Sequence, residues 1–331
     1  MTRIAIAGAG ITGAYLYRRL TEKNCFDGID IFDIPSKTQC GIAPCAWGAS
    51  TGFQQFLVSG GLDPELYIQN RVDSILIDEV PTVVNLMIIN KPNVIKDLLG
   101  GIVPNRTALD PAQYDRIIDA TGVARALLPP CKDDVRIPCI QYLVESSQPL
   151  PTRISFGGIG YAWIFPIGAN QYHIGCGNLK EDPGQKLKSL KWISADTVTR
   201  VLCRCSGEVR LAAPHNSLPL VSSSAGKEIW GVGEAIGCVS PLAGDGIIPG
   251  LKSVEILLRH WNDAEAYTTA ILAEFSWMKR ERIVIDKMIA RKKLGLGDAW
   301  ILKKNSTRVG MRMGIRQAFS ILENMPEGKI V

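Results

Sequence analysis

Apolar and polar positions follow two different periods along this chain. Ile4-Ala5-Ile6-Ala7 is an unbroken apolar run, which predicts a strand buried on both faces. It passes through a cluster of glycines into a helical stretch from Ala14 to Leu20. Further strands are predicted at Gly28–Phe32 and over the segment that begins at Tyr114 and closes on Ala120-Thr121-Gly122. Gln171 to Cys176 alternates with period two, as does a strand with one face in a core. From residue 251 onward the pattern turns helical, with Glu255-Ile256-Leu257-Leu258 and Ile271-Leu272 on amphipathic faces. The expected fold is α/β, with a Rossmann-like domain, an inserted β-sheet domain and a C-terminal helical segment. The Rossmann-like half is expected from residues 1–58, 105–130 and 220–260, the inserted sheet from 60–104 and 131–219, and a basic helical segment from 261–331. Pro129-Pro130 and the stretch from Pro149 to Pro151 are expected where the chain crosses between halves.

Composition narrows this picture in two places. The net charge of +5 is unevenly distributed. Residues 279–331 carry 13 Lys/Arg and 5 Asp/Glu, which leaves 24 basic and 27 acidic residues before them. The body is mildly acidic, so nucleic acid is not an expected partner. The nine cysteines form no CxxC pair and the chain has three histidines, so no metal site is expected. Free thiols imply a reducing compartment, and no apolar run reaches 18 residues, so a cytoplasmic location is expected.

The glycine cluster is Gly8-Ala9-Gly10-Ile11-Thr12-Gly13, a GxGxxG between a strand and a helix. Gly8 is expected to make the tight turn, Gly10 to let the backbone approach a pyrophosphate, and Gly13 to let helix and strand pack closely. The amides of Ile11, Thr12 and Gly13 would face the phosphates with the helix dipole behind them. Asp33, twenty residues beyond Gly13, is expected to accept the adenosine ribose hydroxyls; Asp30 is the competing acid. This motif alone leaves NAD and FAD open.

Two later segments favour FAD. The strand ending in Ala120-Thr121-Gly122 resembles the second nucleotide motif of two-dinucleotide flavoproteins. Gly233-Glu234-Ala235, followed by Gly244-Asp245-Gly246-Ile247, resembles the Gly-Asp-Ala segment of FAD-dependent hydroxylases and reductases, with Glu234 where aspartate is usual. The resemblance implies that Glu234 contacts the ribityl or pyrophosphate region. It also implies that Gly244, Asp245, Gly246 and Ile247 open a helix whose amides face the isoalloxazine ring.

Gly160-Tyr161-Ala162-Trp163-Ile164-Phe165-Pro166 resembles the substrate-domain signature of the geranylgeranyl reductases, FAD-dependent enzymes that hydrogenate isoprenoid double bonds. Cys40-Gly41 matches a Cys-Gly pair in their flavin-proximal loop. The resemblance spans roughly residues 3–260. It implies a substrate tunnel lined by Tyr161, Trp163, Phe165, Pro166 and Cys45, with Cys40 as proton donor or gate beside the flavin. His173 and the Cys203-x-Cys205 pair are expected to be structural or incidental. Electrons would come from NAD(P)H or a ferredoxin, and the basic tail would meet either an anionic membrane surface or an acidic redox partner. Two other readings share these motifs: a flavin-dependent monooxygenase, and a non-catalytic flavin- or lipid-binding protein.

Overall fold

The computed structural model describes residues 2–34, 45–194, 196–224 and 226–325, and in it the chain shuttles between two sheets. The first pass lays down β1 (Arg3–Ala7), α1 (Ile11–Lys23) and β2 (Gly28–Phe32). The chain then crosses to build β3 (Gly48–Ser50), α2 (Phe53–Ser59), β4 (Ile68–Ile77) and β5 (Val80–Ile89), and returns through α3 (Lys91–Leu98) to β6 (Arg116–Asp119). A second excursion makes β7 (Arg136–Glu145), β8 (Arg153–Phe156), β9 (Gly160–Gly168), β10 (Gln171–Asn178), α4 (Pro183–Ser189) and β11 (Arg200–Arg210). After β12 (Val221–Ser224) and β13 (Lys227–Gly231) come α5 (Ile247–Arg259), α6 (Ala264–Glu274), α7 (Ser276–Ile289) and α8 (Leu296–Ser306). A two-residue strand, β14 (Met311–Arg312), and α9 (Ile315–Asn324) end the described chain.

The smaller sheet has the order β12-β13-β6-β1-β2. Its last four strands are mutually parallel, and β12 runs antiparallel at the edge. Ile4, Ala5 and Ile6 of the central strand are fully buried, which is why they read as a continuous apolar run. Helix α1 packs against both α3 and α5.

The larger sheet has the order β11-β7-β10-β9-β8-β4-β5-β14, with β3 also paired to β5. Tyr161 lies opposite Gly177 and Cys139; Trp163 lies opposite Gly175 and Gln141; Phe165 lies opposite His173 and Leu143. Paired residues share a face and neighbours along a strand alternate, so these three rows face one side. Ile140, Ala162, Ile164, Ile174 and Cys176 face the other side and form a small core with Leu187 of α4.

Several expected boundaries fall differently. Gly48–Ser50, expected in the nucleotide half, pairs with Leu86, Met87 and Ile88 of β5 in the large sheet. Three small residues carry no hydrophobic alternation that could have announced this. Helix α3, expected with the substrate sheet, packs on α1. Pro129-Pro130 does lie on a crossing, between β6 and β7. Pro149 and Pro151 instead join β7 to β8 within one sheet. Strand β14 interrupts the expected helical tail by pairing with Val83 and Val84.

Two buried arginines tie the crossings together. Arg125 donates to the carbonyls of Pro129 (2.6 Å), Pro219 (2.8 Å) and Ala235. Arg210 donates to the carbonyl of Val123 (2.6 Å) and to Asp134. Guanidinium groups suit this task because one side chain satisfies several buried carbonyls at once.

Candidate functional site

The site begins where β1 hands the chain to α1. Gly8 has φ +103°, and a Cβ there would lie 2.3 Å from the carbonyl oxygen of Ala120. A Cβ at Gly13 would lie 1.9 Å from the carbonyl oxygen of Gly8. Both positions are therefore closed to any other residue by the protein itself. Gly10 is different, because a Cβ there would meet no protein atom within 4 Å. Its bareness leaves room for something other than protein. No side chain caps α1 and no acid stands in its first turn. Ala14 N–H bonds the Gly10 carbonyl at 2.8 Å, so the helix supplies no acceptor for the amides of Ile11, Thr12 and Gly13. The Thr12 side chain points inward: Cβ atoms at Gly233 and Gly250 would lie 2.9 and 2.5 Å from its Oγ1. Thr12 thus keys α1 against α5 and offers the groove only its amide.

Asp33 follows β2, and its N–H donates to the carbonyl of Asn105 at 3.0 Å. Burial pushes its carboxyl up, while a hydrogen bond from the backbone of Ala9 and the charge of Arg106 pull it down. Its side chain therefore stands beside the glycine turn. Asp30 accepts from Arg3 and from Tyr114 Oη, each at 2.9 Å, and is committed to those partners.

The Ala120-Thr121-Gly122 turn packs against Gly8 and is pinned by Asp119. That buried carboxylate accepts from Thr121 N (3.0 Å), Thr121 Oγ1 (2.6 Å), Leu127 N (2.9 Å) and Leu128 N (3.0 Å). Sequence reasoning missed Asp119; the available signal was an acid closing an otherwise apolar strand. Glu234 sits in a short 3-10 turn after β13. Its Oε1 accepts the Arg210 N–H at 2.8 Å, and its Oε2 lies 3.7 Å from where a Cβ on Gly122 would be. Burial raises its pKa, with the Arg210 amide and charge opposing. The extra methylene of glutamate lets one oxygen reach across to β11.

The three rows of the large sheet wall an apolar cavity of about 180 Å³. Tyr161, Trp163, Phe165, Cys45, Cys139 and Ile154 line it, and Gly244, Asp245, Gly246 and Ile247 close one side. Tyr161 Oη donates to the Ala243 carbonyl, which locks the aromatic row to this loop. Trp163 donates from Nε1 to Gln141 at 3.3 Å, and its ring lies over Gly175, where a Cβ would meet it at 2.3 Å. Pro166 does not line the cavity. It follows Phe165, so strand alternation turns it to the other face, a correction to the expected substrate set. Cys40 and Gly41 lie outside the described residues.

The Gly244–Gly246 loop feeds α5, whose N-cap residue Gly246 has no side chain to cap it. Gly244 has φ +65°. Asp245 Oδ1 accepts the Ile247 N–H at 3.2 Å. Desolvation in this apolar setting pushes the Asp245 carboxyl up to about 6. The same cause lifts the Cys139 thiol to about 12, so it faces the cavity as a neutral group. His173, buried edge-on to Trp47 with ring centroids 4.5 Å apart, is held neutral by burial, its pKa lowered to about 4. It is a packing residue, as expected. Among the described residues no cluster of metal-ligating side chains occurs.

A second acid missed from sequence braces the loop. Glu281 of α7 is 2% exposed. Its Oε2 accepts from Ser240 Oγ (2.7 Å) and Leu242 N (3.4 Å), and its Oε1 from Asn305 Nδ2 (3.0 Å). Burial raises its pKa to about 7. It stands with Met278, Ile285 and Met288 among the buried positions of α7. An acid on the apolar stripe of a helix was the signal for it.

In fold the chain is similar to solved structures of reductase-like proteins, flavin-dependent halogenases and an FAD-dependent monooxygenase. Among solved structures the chain is similar to a geranylgeranyl bacteriochlorophyll reductase-like protein from Thermoplasma acidophilum, with TM-score 0.67 and 16% identity over 86% of this chain and 87% of that one. It is also similar to a tryptophan 6-halogenase from Streptomyces toxytricini, with TM-score 0.63 and 12% identity over 87% of this chain and 78% of the other. Both are likenesses of fold. In sequence it is 25% identical to an uncharacterized protein of Methanocaldococcus jannaschii, over 78% of this chain and 82% of that one. It is 30% identical to a digeranylgeranylglycerophospholipid reductase of Methanopyrus kandleri over 141 residues, 40% of this chain and 37% of the relative. No family model matches the chain. The resemblance to geranylgeranyl reductases therefore appears in both fold and sequence. No described helix is long and apolar enough to cross a membrane.

Proposed function

We propose that this chain is an FAD-dependent oxidoreductase that saturates carbon–carbon double bonds of an isoprenoid chain held in the apolar cavity. The carrying observation is that the Tyr161-Trp163-Phe165 row and the Gly244–Gly246 loop wall the same cavity. A greasy chain gains by leaving water for such a surface.

The residues present fit FAD. The amides of Ile11, Thr12 and Gly13 would hold the pyrophosphate in the space that Gly10 leaves open, and Asp33 would take the ribose hydroxyls. When bound and reduced, the flavin supplies hydride. The α5 amides that follow Ile247 would stabilise negative charge at the ring edge next to them. Saturation also needs a proton. Asp245 lines the cavity and, with its pKa raised to about 6, holds a proton well above the ordinary aspartate range. Its place on the wall makes it the described residue best suited to deliver that proton to the substrate carbon. Cys40, from the matching Cys-Gly pair, remains the second proposed donor.

The test is direct. The protein purified with FAD should show a flavin spectrum, bleach with dithionite, and then add one H2 per double bond to a geranylgeranyl lipid, read by mass spectrometry. No flavin absorbance would sink the cofactor assignment. A product that forms only with oxygen and contains its atoms would assign monooxygenase chemistry instead.

A further inference from the structure

A second cavity, of about 230 Å³, is bounded by α6, α7 and α8 and serves no step above. Trp277, Arg280, Trp300, Lys304, Asn305 and Arg308 form its walls. Lys304 Nζ stands 4.9 Å above the Trp300 ring, and the Arg308 guanidinium 5.0 Å above that of Trp277. The indoles thus fix two cations that would otherwise sample many rotamers.

The surrounding acids are spent elsewhere. Glu274 lines the groove but pairs with Lys252 at 2.6 Å. Asp286 pairs with Arg282 and Asp298 with Lys287, each at 2.7 Å. Glu281 is buried on Ser240, Leu242 and Asn305, and is the acid on which Arg308 acts at longer range. Among the described residues, Arg280, Lys304 and Arg308 make no ion pair with a carboxylate, so three cations converge on one recess without neutralisation. A recess of this size takes a headgroup. Two guanidinium forks and an ammonium match the many oxygens and multiple charge of phosphate better than a single carboxylate.

We propose that this groove binds a phosphate-bearing group. It is not remote from the cavity described above. Arg308 is followed by Val309 and Met311, both of which line the apolar cavity, so residues 305–311 serve both spaces. Asn305, on the groove wall, is also the first link of the chain Asn305–Glu281–Ser240 that ends at the loop preceding α5.

The experiment is calorimetric titration of the full chain with inorganic pyrophosphate in excess FAD, which keeps the proposed glycine-turn cradle filled. One saturable site is expected, with affinity falling about tenfold in K304Q and in R308Q and unchanged in K303Q, whose side chain is not part of the groove. Circular dichroism of each variant separates lost binding from lost fold. Co-sedimentation with phosphatidylglycerol vesicles distinguishes the source. Sedimentation that pyrophosphate competes away assigns a lipid headgroup, and pyrophosphate binding without sedimentation assigns a soluble phosphorylated ligand. No heat with pyrophosphate, or binding that both variants leave intact, overturns the proposal. The flavin spectrum and alkene reduction of the same preparation are independent readouts, so failure here would leave the proposed activity standing.

Discussion

The hydroxyl of Tyr161 donates to the carbonyl of Ala243, joining the middle of the large sheet to the loop that starts α5. One hydrogen bond thus ties the aromatic wall of the cavity to the proposed flavin edge. Tyr161→Phe keeps the ring and removes the bond. It should cost about 1–3 kcal/mol if the carbonyl is left dry, and less if water replaces the hydroxyl. The melting temperature should fall, and KM for a prenyl substrate should rise more than kcat falls.

The glycines of the first motif should fail in different ways. Gly13→Ala drives a Cβ to 1.9 Å from the Gly8 carbonyl and should prevent normal folding. Gly10→Val projects into open space and should fold as the parent does while losing FAD, by roughly tenfold or more. Circular dichroism and flavin absorbance on the two proteins separate the effects. Equal loss of fold in both would contradict the assignment of Gly10 to ligand space.

Asp245 should impose a pH limit on turnover. A donor with a pKa of about 6 is protonated below that value, so the single-turnover rate should fall as pH rises through it. Asp245→Asn cannot release a proton; it should lower the rate and remove that limb of the profile. A limb that survives in Asp245→Asn would transfer the donor role elsewhere, with Cys40 next to be tested.

Glu281 should make stability fall with rising pH. Its pKa is raised from 4.5 to about 7 by burial, so between these values the folded chain binds a proton that the unfolded chain has lost. Stability from this group is complete below about pH 4.5 and is lost as pH passes 7, an effect on the order of 3 kcal/mol. Glu281→Gln should flatten that slope in denaturant unfolding curves measured from pH 4.5 to 8.

The parts legible in the sequence are those whose cause is local. Gly8 and Gly13 are demanded by contacts at the turn itself, and Asp33 is found by counting from them. The Tyr161-Trp163-Phe165 row came from the family resemblance, and alternation along the strand separates Pro166 from it. Asp119 and Glu281 were missed because their roles depend on partners brought together by topology: the amides of Leu127 and Leu128 for one, Ser240 and Asn305 for the other. Strand β3 was missed because Gly48-Ala49-Ser50 has no pattern of its own, and only the neighbouring β5 makes it a strand. The competition between Asp30 and Asp33 turned on Arg3 and Tyr114, whose proximity to Asp30 is a property of the sheet.

The inward-pointing Thr12, wedged against Gly233 and Gly250, has a consequence for how the protein comes into being. The proposed nucleotide cradle packs the first dozen residues against segments more than 200 positions later, with two excursions into another sheet between them. Contacts of such separation form late, after the intervening loops have been closed at an entropic cost. An N-terminal fragment would therefore carry the glycine signature without the Gly233 and Gly250 surface that Thr12 packs against. A nucleotide bound at the proposed cradle would act as a thermodynamic latch on the whole fold.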